Sequence, residues 1–312
     1  MALGGLPLDH LRIAWQPDTP AQLWEVTILD ATHSALTTSP VQAQRAVGNL
    51  LLAVKPGHLD GQSVLADLRH GGCLKVLFPR GPRDRLSAVI VNTSGGITGG
   101  DDLRITAKVG ADARLSLTSQ AAERIYRSQN GAPGRVRTQV CVGPNARLDW
   151  LPQETILYDH AALDRQLRVD LQATSRCLLV ETLVFGRGAM GETLQHLGLS
   201  DRIDIWREGA PLFIDRVRLN GHAAAMLRRP TIAKGATAVA SILFACPADS
   251  REAETHLAVL RPILPESAGI SLIRPGLLLL RVTAPDSFLL RRITLPVLAH
   301  LNDGPLPRTW MI

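Results

Sequence analysis

The sequence predicts a predominantly β domain of many short strands, completed by two helices near the C-terminus. Three observations carry that expectation. From about residue 60 onward apolar residues recur with a period of two, the spacing of a strand with one buried face. Short clusters of Gly, Pro, Asp and Asn separate the runs, and these residues supply turn geometry. Amphipathic helices do not alternate with the strands, which disfavours a doubly wound nucleotide fold.

Residues 1 to about 45 are weakly patterned, with Pro17, Pro20 and Pro40 and one strand expected at "WEVTIL" (24–29). They read as an N-terminal extension, 1–45, ahead of a single β-domain at 46–312. Strands are then expected at 64–68, 74–78 and 87–92. In "LRITAKV" Leu103, Ile105, Ala107 and Val109 share a face; "GADA" turns the chain, and "ARLSLTS" repeats the pattern with Ala113, Leu115 and Leu117. "RVRTQVCV" alternates Val136, Thr138, Val140 and Val142 with Arg135, Arg137, Gln139 and Cys141. Further strands are expected at 147–151, 154–158, 166–171, 177–185, 201–207, 211–219, 237–245 and 277–283. The first helix should open at a capping box, Asp249-Ser-Arg-Glu252, carry Leu257 and Leu260 on one face and stop at Pro262. The second should start at Asp286, with Leu290, Ile293, Val297 and Leu301 three or four residues apart and a kink at Pro296.

Composition narrows the function. Apolar residues make up 46% of the 312, enough for a large core. The net charge of +6 raises the question of nucleic acid. Only four of the 34 basic residues are lysines, however, and the arginines are scattered without a basic run. Aromatic residues, at 4%, are too few for a base-stacking platform. An acidic protein partner is the better expectation. Cys73, Cys141, Cys177 and Cys246 lack zinc-site spacing and read as buried free thiols of a reducing compartment. No secretory pattern or membrane-length apolar run is present, so a cytoplasmic protein is expected, with no membrane or nucleic-acid partner.

The stretch "NTSGGITGGDD" (92–102) spaces Gly95 and Gly100 like a phosphate loop. That loop needs Lys-Ser/Thr and a helix next; here Asp101 and Asp102 follow, then a strand. Nucleotide binding is excluded. The glycines suit a close backbone crossing, and Asp101 and Asp102 are open to a second reading as an acidic edge. No catalytic signature or metal spacing occurs, and no two histidines stand two, three or four residues apart. In "DWLPQETILYDHA" (149–161), Glu154, Asp159 and His160 lie in apolar strand context, as does Glu181 in "LLVETLVF". A carboxylate there is costly unless paired or hydrated. The two readings are a salt bridge to an arginine, Arg187 to Glu181 or Glu192 among them, and a polar passage.

Seven segments occur together and in order: "GGCLKVLFPR" (71–80), "NTSGGITGGDDL" (92–103), "TSQAAERIYRS" (118–128), "WLPQETILYDHA" (150–161), "ETLVFGRGAMGE" (181–192), "FIDRVRL" (213–219) and "PRTW" (307–310). On these the chain resembles the UreD family of urease accessory proteins, called UreH in some organisms. The departures are small, such as Ser119 and Tyr158 where the family more often has Thr and Phe. The resemblance implies a helicoidal, solenoid-like β-structure and a non-catalytic scaffold. It also implies UreF, the GTPase UreG and apo-urease as partners, with no tightly bound cofactor and nickel in transit to urease. A conduit must release its ion, and spaced single ligands suit that better than a closed cage. Charge within apolar strands makes Asp101, Glu154, Asp159, His160 and Glu181 the candidate nickel contacts; Tyr126, Arg127 and Arg187 are assigned to architecture. Two rival readings are a hydrolase using Glu154 and Asp159, and a basic RNA-binding β-domain.

Overall fold

A computed structural model describes residues 44–59 and 61–311; the strand expected at 24–29 lies outside them. The chain opens with β1 (Val47–Pro56), β2 (Ser63–Gly72), β3 (Leu74–Leu77) and β4 (Leu86–Asn92). It continues through β5 (Asp102–Val109), β6 (Arg114–Ser119), β7 (Glu123–Ile125), β8 (Gly134–Val142), β9 (Arg147–Leu151) and β10 (Thr155–Leu157). Next come β11 (Ala162–Leu171), β12 (Arg176–Phe185), β13 (Leu197–Arg207), β14 (Ala210–Gly221) and a short helix α1 (Ala223–Leu227). The last elements are β15 (Ala238–Ala245), α2 (Glu252–Leu260), β16 (Ala268–Arg274), β17 (Leu277–Ala284) and α3 (Ser287–Leu301).

The middle of the chain winds as a solenoid. Strands β5, β8, β11 and β13 stack in parallel in one sheet, while β4, β6, β9 and β12 stack in parallel in the other. The chain alternates between the sheets, so each coil adds one strand to each. Short strands β7 and β10 pair in parallel with each other, and β10 with the end of β12, making a narrow third side. Antiparallel partners close the stacks: β2 beyond β1, β14 beyond β13, and β15, β17 and β16 beyond β12.

Two cores follow from this layering. The first lies between the sheets and takes the inward rows, such as Leu103, Ile105, Ala107 and Val109 against Leu115, Leu117, Leu148 and Leu179. The second lies on the outer face of the β12 sheet and is roofed by α2 and α3 through Ala253, Leu260, Leu290, Val297 and Leu301. Strand β12 is therefore buried on both faces. That is why "RCLLVETLVF" shows no alternation. Trp310, in "PRTW", is buried in the second core and donates its ring N–H to Leu151 O at 2.9 Å.

Some local expectations change. Strands β1, β7 and β16 and the helix α1 carried no clear sequence signal. The strand expected at 154–158 spans only Thr155–Leu157. The first helix begins at Glu252 with no side-chain cap from Asp249; Ser250 Oγ instead accepts from Glu252 N at 3.2 Å. Pro262 follows α2 in a 3-10 turn, and Asp286 caps α3 by accepting from Leu289 N at 2.7 Å. Helix α3 runs through Pro296. The thiols are unpaired, but only Cys177 and Cys246 are buried. Cys141 is exposed because it sits on the outward row of β8, opposite Val140 and Val142, and Cys73 is half-buried in the turn before β3.

Candidate functional site

Charged side chains from both sheets meet inside the inter-sheet core at Arg165, Asp201 and Glu181. Arg165 on β11 and Asp201 on β13 are register neighbours. Each stands in an inward apolar row, between Leu163 and Leu167 and between Leu199 and Ile203. Glu181 faces them from β12 in the opposite sheet. Arg165 grips Asp201 with two bonds, Nε to Oδ1 at 2.9 Å and Nη2 to Oδ2 at 2.6 Å. Its Nη1 lies 2.7 Å from Glu181 Oε2 and donates to Thr155 Oγ1 at 3.0 Å. Trp150 Nε1 donates to Glu181 Oε1 at 2.8 Å. Glu181 is 7% and Asp201 6% exposed. Burial pushes the Glu181 carboxyl up against the pull of Arg165. Burial also opposes the Arg165 charge, but Asp201 and Glu181 outweigh it and hold the guanidinium protonated.

A cavity of about 90 Å³ between the sheets is lined by Arg165, Glu181, Thr155, Thr138 and, from β7, Glu123. A larger one of about 360 Å³ is lined by Glu181, Asp201, Ser241 and residues of β14. Glu123 accepts from Asn92 Nδ2 at 3.1 and 3.3 Å, one bond to each oxygen. Burial pushes its carboxyl from 4.5 up to about 7. The folded state then keeps a proton that the unfolded chain releases, so stability falls as pH rises through the window from 4.5 to about 7. Glu123→Gln should remove that fall. We expect urea denaturation to show the variant up to about 3 kcal/mol more stable than wild type above pH 7, with no gain near pH 4.5.

The five residues singled out in the sequence do not converge. Asp101 is buried and closes the glycine loop: Oδ1 accepts from Ala46 N and Oδ2 from Thr98 N, both at 2.8 Å. Glu154 pairs with Arg291 of α3 at 3.1 Å. Asp159 Oδ1 accepts from Gln195 N at 2.6 Å and His196 N at 3.0 Å, and its Oδ2 lies 3.4 Å from His160 Nε2. Burial pushes the Asp159 carboxyl up, but the backbone bonds from His196 and Gln195 outweigh it and hold the carboxyl below its usual range. His160 stacks on His196, ring centres 5.0 Å apart, and His196 lies 6.4 Å from His222. Only Glu181 points between the sheets. Its partner is Arg165, while Arg187 takes Glu192 at 3.0 Å. Among the described residues no three His, Cys, Asp or Glu side chains form a metal-holding group.

Sequence reasoning missed Arg165, Asp201, Glu123, His196 and His222. Arg165 and Asp201 did carry a signal, a charge on the inward row of a period-two strand. The strand expected at 166–171 began just after Arg165, and the one at 201–207 began at Asp201 itself, without the preceding Leu199 that marks the row as apolar. Glu123 lies in a three-residue strand with no period to break.

Comparison with known proteins decides the family. The family model described as "UreD urease accessory protein" matches residues 44–311. The chain belongs to the UreD family. It is 44% identical over 276 residues to the urease accessory protein UreD of Roseobacter denitrificans, covering 88% of this chain and 98% of that one. It is 50% identical over 250 residues to UreD of Ruegeria pomeroyi, covering 80% and 96%. UreD of Rhizobium leguminosarum bv. viciae is 40% identical over 280 residues, covering 89% and 99%. The solenoid is thus that of a urease accessory protein. Among the described residues no helix is long and apolar enough to cross a membrane.

Proposed function

We propose that this chain serves urease maturation as a scaffold for apo-urease, UreF and UreG, and that nickel crosses it between the two sheets. The observation that supports the path is Glu181, an ionisable oxygen ligand set in the inter-sheet core where two cavities meet. A carboxylate with water beside it binds nickel weakly enough to release it, as transfer requires. Asp159 and His160, with His196 and His222 beside them, form a surface station on the same reading. Asp101 and Glu154, held by backbone amides and Arg291, act in the scaffold. The hydrolase alternative loses ground because Glu154 and Asp159 are tied to different segments. The RNA alternative is weakened by the pairing of many arginines, as in Arg104–Asp102, Arg168–Asp170 and Arg281–Asp215. The protein is assigned to the cytoplasm, with no catalytic step of its own.

The test is co-expression with apo-urease and the other accessory proteins. Glu181→Gln keeps the volume and an acceptor for Trp150 but removes the charge. We expect the complex to assemble normally while urease activation falls by about tenfold or more. Normal activation by Glu181→Gln would refute the path; loss of co-purification of the wild-type chain with apo-urease would refute the scaffold role.

A further inference from the structure

The two cavities share one lining residue, Glu181, whose carboxylate pairs with Arg165. Arg165 and Glu181 line the smaller cavity, Glu181 and Asp201 the larger, so the ion cluster borders both. We propose that Glu181 and Asp201 form a divalent-cation site that Arg165 holds closed, its guanidinium occupying the place an ion would take. This inference rests on the inter-sheet path proposed above and assigns its gate.

Donor bookkeeping leads to this assignment. Three of the four carboxylate oxygens are held by Arg165 alone: Asp201 Oδ1 and Oδ2 and Glu181 Oε2. The fourth, Glu181 Oε1, takes Trp150 Nε1. Withdrawing the guanidinium would therefore open three oxygens from two sheets toward one volume. Two carboxylates around one guanidinium carry a formal charge of −1, and around a divalent cation in its place they are neutralised, a change of one unit. The exchange is thus close to balanced in charge, and a balanced exchange is what allows an ion both to enter and to leave. Thr155 Oγ1, already 3.0 Å from Nη1 on the side of the smaller cavity, keeps one acceptor for the displaced side chain. An all-oxygen pair of carboxylates also holds borderline divalent ions less tightly than imidazole or thiolate sets do, so the site suits passage rather than storage.

The test is Ni²⁺ titration of the full chain, followed by calorimetry or equilibrium dialysis, with no urease present. Arg165→Met removes the competing charge and nearly keeps the volume. We expect it to bind one more Ni²⁺ per chain than wild type, or the same ion roughly tenfold or more tightly. The gain should vanish in Arg165→Met/Glu181→Gln/Asp201→Asn, whose uncharged cluster is compatible with folding. Should Arg165→Met fail to fold by circular dichroism, Arg165→Lys gives the same reading, because one ammonium cannot span both carboxylates; a smaller gain is expected. A folded variant with no gain, or a gain that survives in the triple variant, overturns the gate. These outcomes are independent of the path test. A gain in Ni²⁺ binding together with normal activation by Glu181→Gln would leave the cation site standing and remove the path.

Discussion

Replacing Asp149 by alanine is expected to cost the domain about 3–5 kcal/mol, read as a fall in the urea midpoint at unchanged slope. Asp149 is 1% exposed on the outer row of β9, beneath α3. Its Oδ1 accepts from Arg147 Nε at 2.8 Å and its Oδ2 from Arg85 Nη1 at 3.3 Å. Burial pushes its carboxyl up, and the two arginines oppose that shift. Arg147 also donates to Leu301 O at 2.9 Å, a carbonyl in the last turn of α3 that lacks a helical partner. Alanine would leave two guanidinium groups in the second core without their shared counter-ion, the situation in which buried pairs are costly to break. Asp149→Asn keeps an acceptor and should lose less. A loss below about 1 kcal/mol for alanine would show that solvent or Asp84, 3.2 Å from Arg85, already neutralises the cluster.

Gly96→Ala is expected to cost about 3 kcal/mol or more, and Gly95→Ala only about 1 kcal/mol. Both glycines have positive φ, 78° at Gly95 and 149° at Gly96. Their surroundings differ. A methyl group at Gly95 would meet nothing within 4 Å, whereas one at Gly96 would run into the Tyr126 ring and stand 2.6 Å from Arg124 O. That carbonyl cannot easily retreat, because it accepts from Ile97 N at 2.7 Å in the bridge joining the loop to the third side of the solenoid. Thermal melting of the two variants side by side would check the ranking. Equal losses would mean that backbone strain, and not the close crossing, is what the loop requires.

Much of the fold was legible because a strand with one buried face writes its period directly into the residues. The rows Leu103–Val109 and Val136–Val142 were readable for that reason, and both occupy the inter-sheet core as alternation requires. Legibility failed where the period had no room or no contrast. Strands β7 and β10, three residues each, are too short to show alternation. Strand β12 is buried on both faces, so Glu181 could be seen as anomalous without any indication of which core it entered.

The candidate site was legible only in part, because a carboxylate in an apolar strand announces itself but not its partner. Asp101 and Glu181 looked alike in the sequence. In the structure one is saturated by two backbone amides, and the other faces a guanidinium between two cavities. The dispersed histidines likewise gave no sign that His160, His196 and His222 would meet from three separate segments.

By itself the sequence determined a strand-rich chain, excluded a phosphate loop through Asp101 and Asp102, and displayed the ordered segments of a urease accessory family. Only the tertiary structure decided that Glu181 answers to Arg165 and Asp201 rather than to Arg187. The reason is the solenoid itself. Neighbours across its sheets come from successive coils, as with Arg165 and Asp201, 36 residues apart. Electrostatic pairing between coils depends on register and on which face each strand turns inward, and no local pattern of residues encodes both.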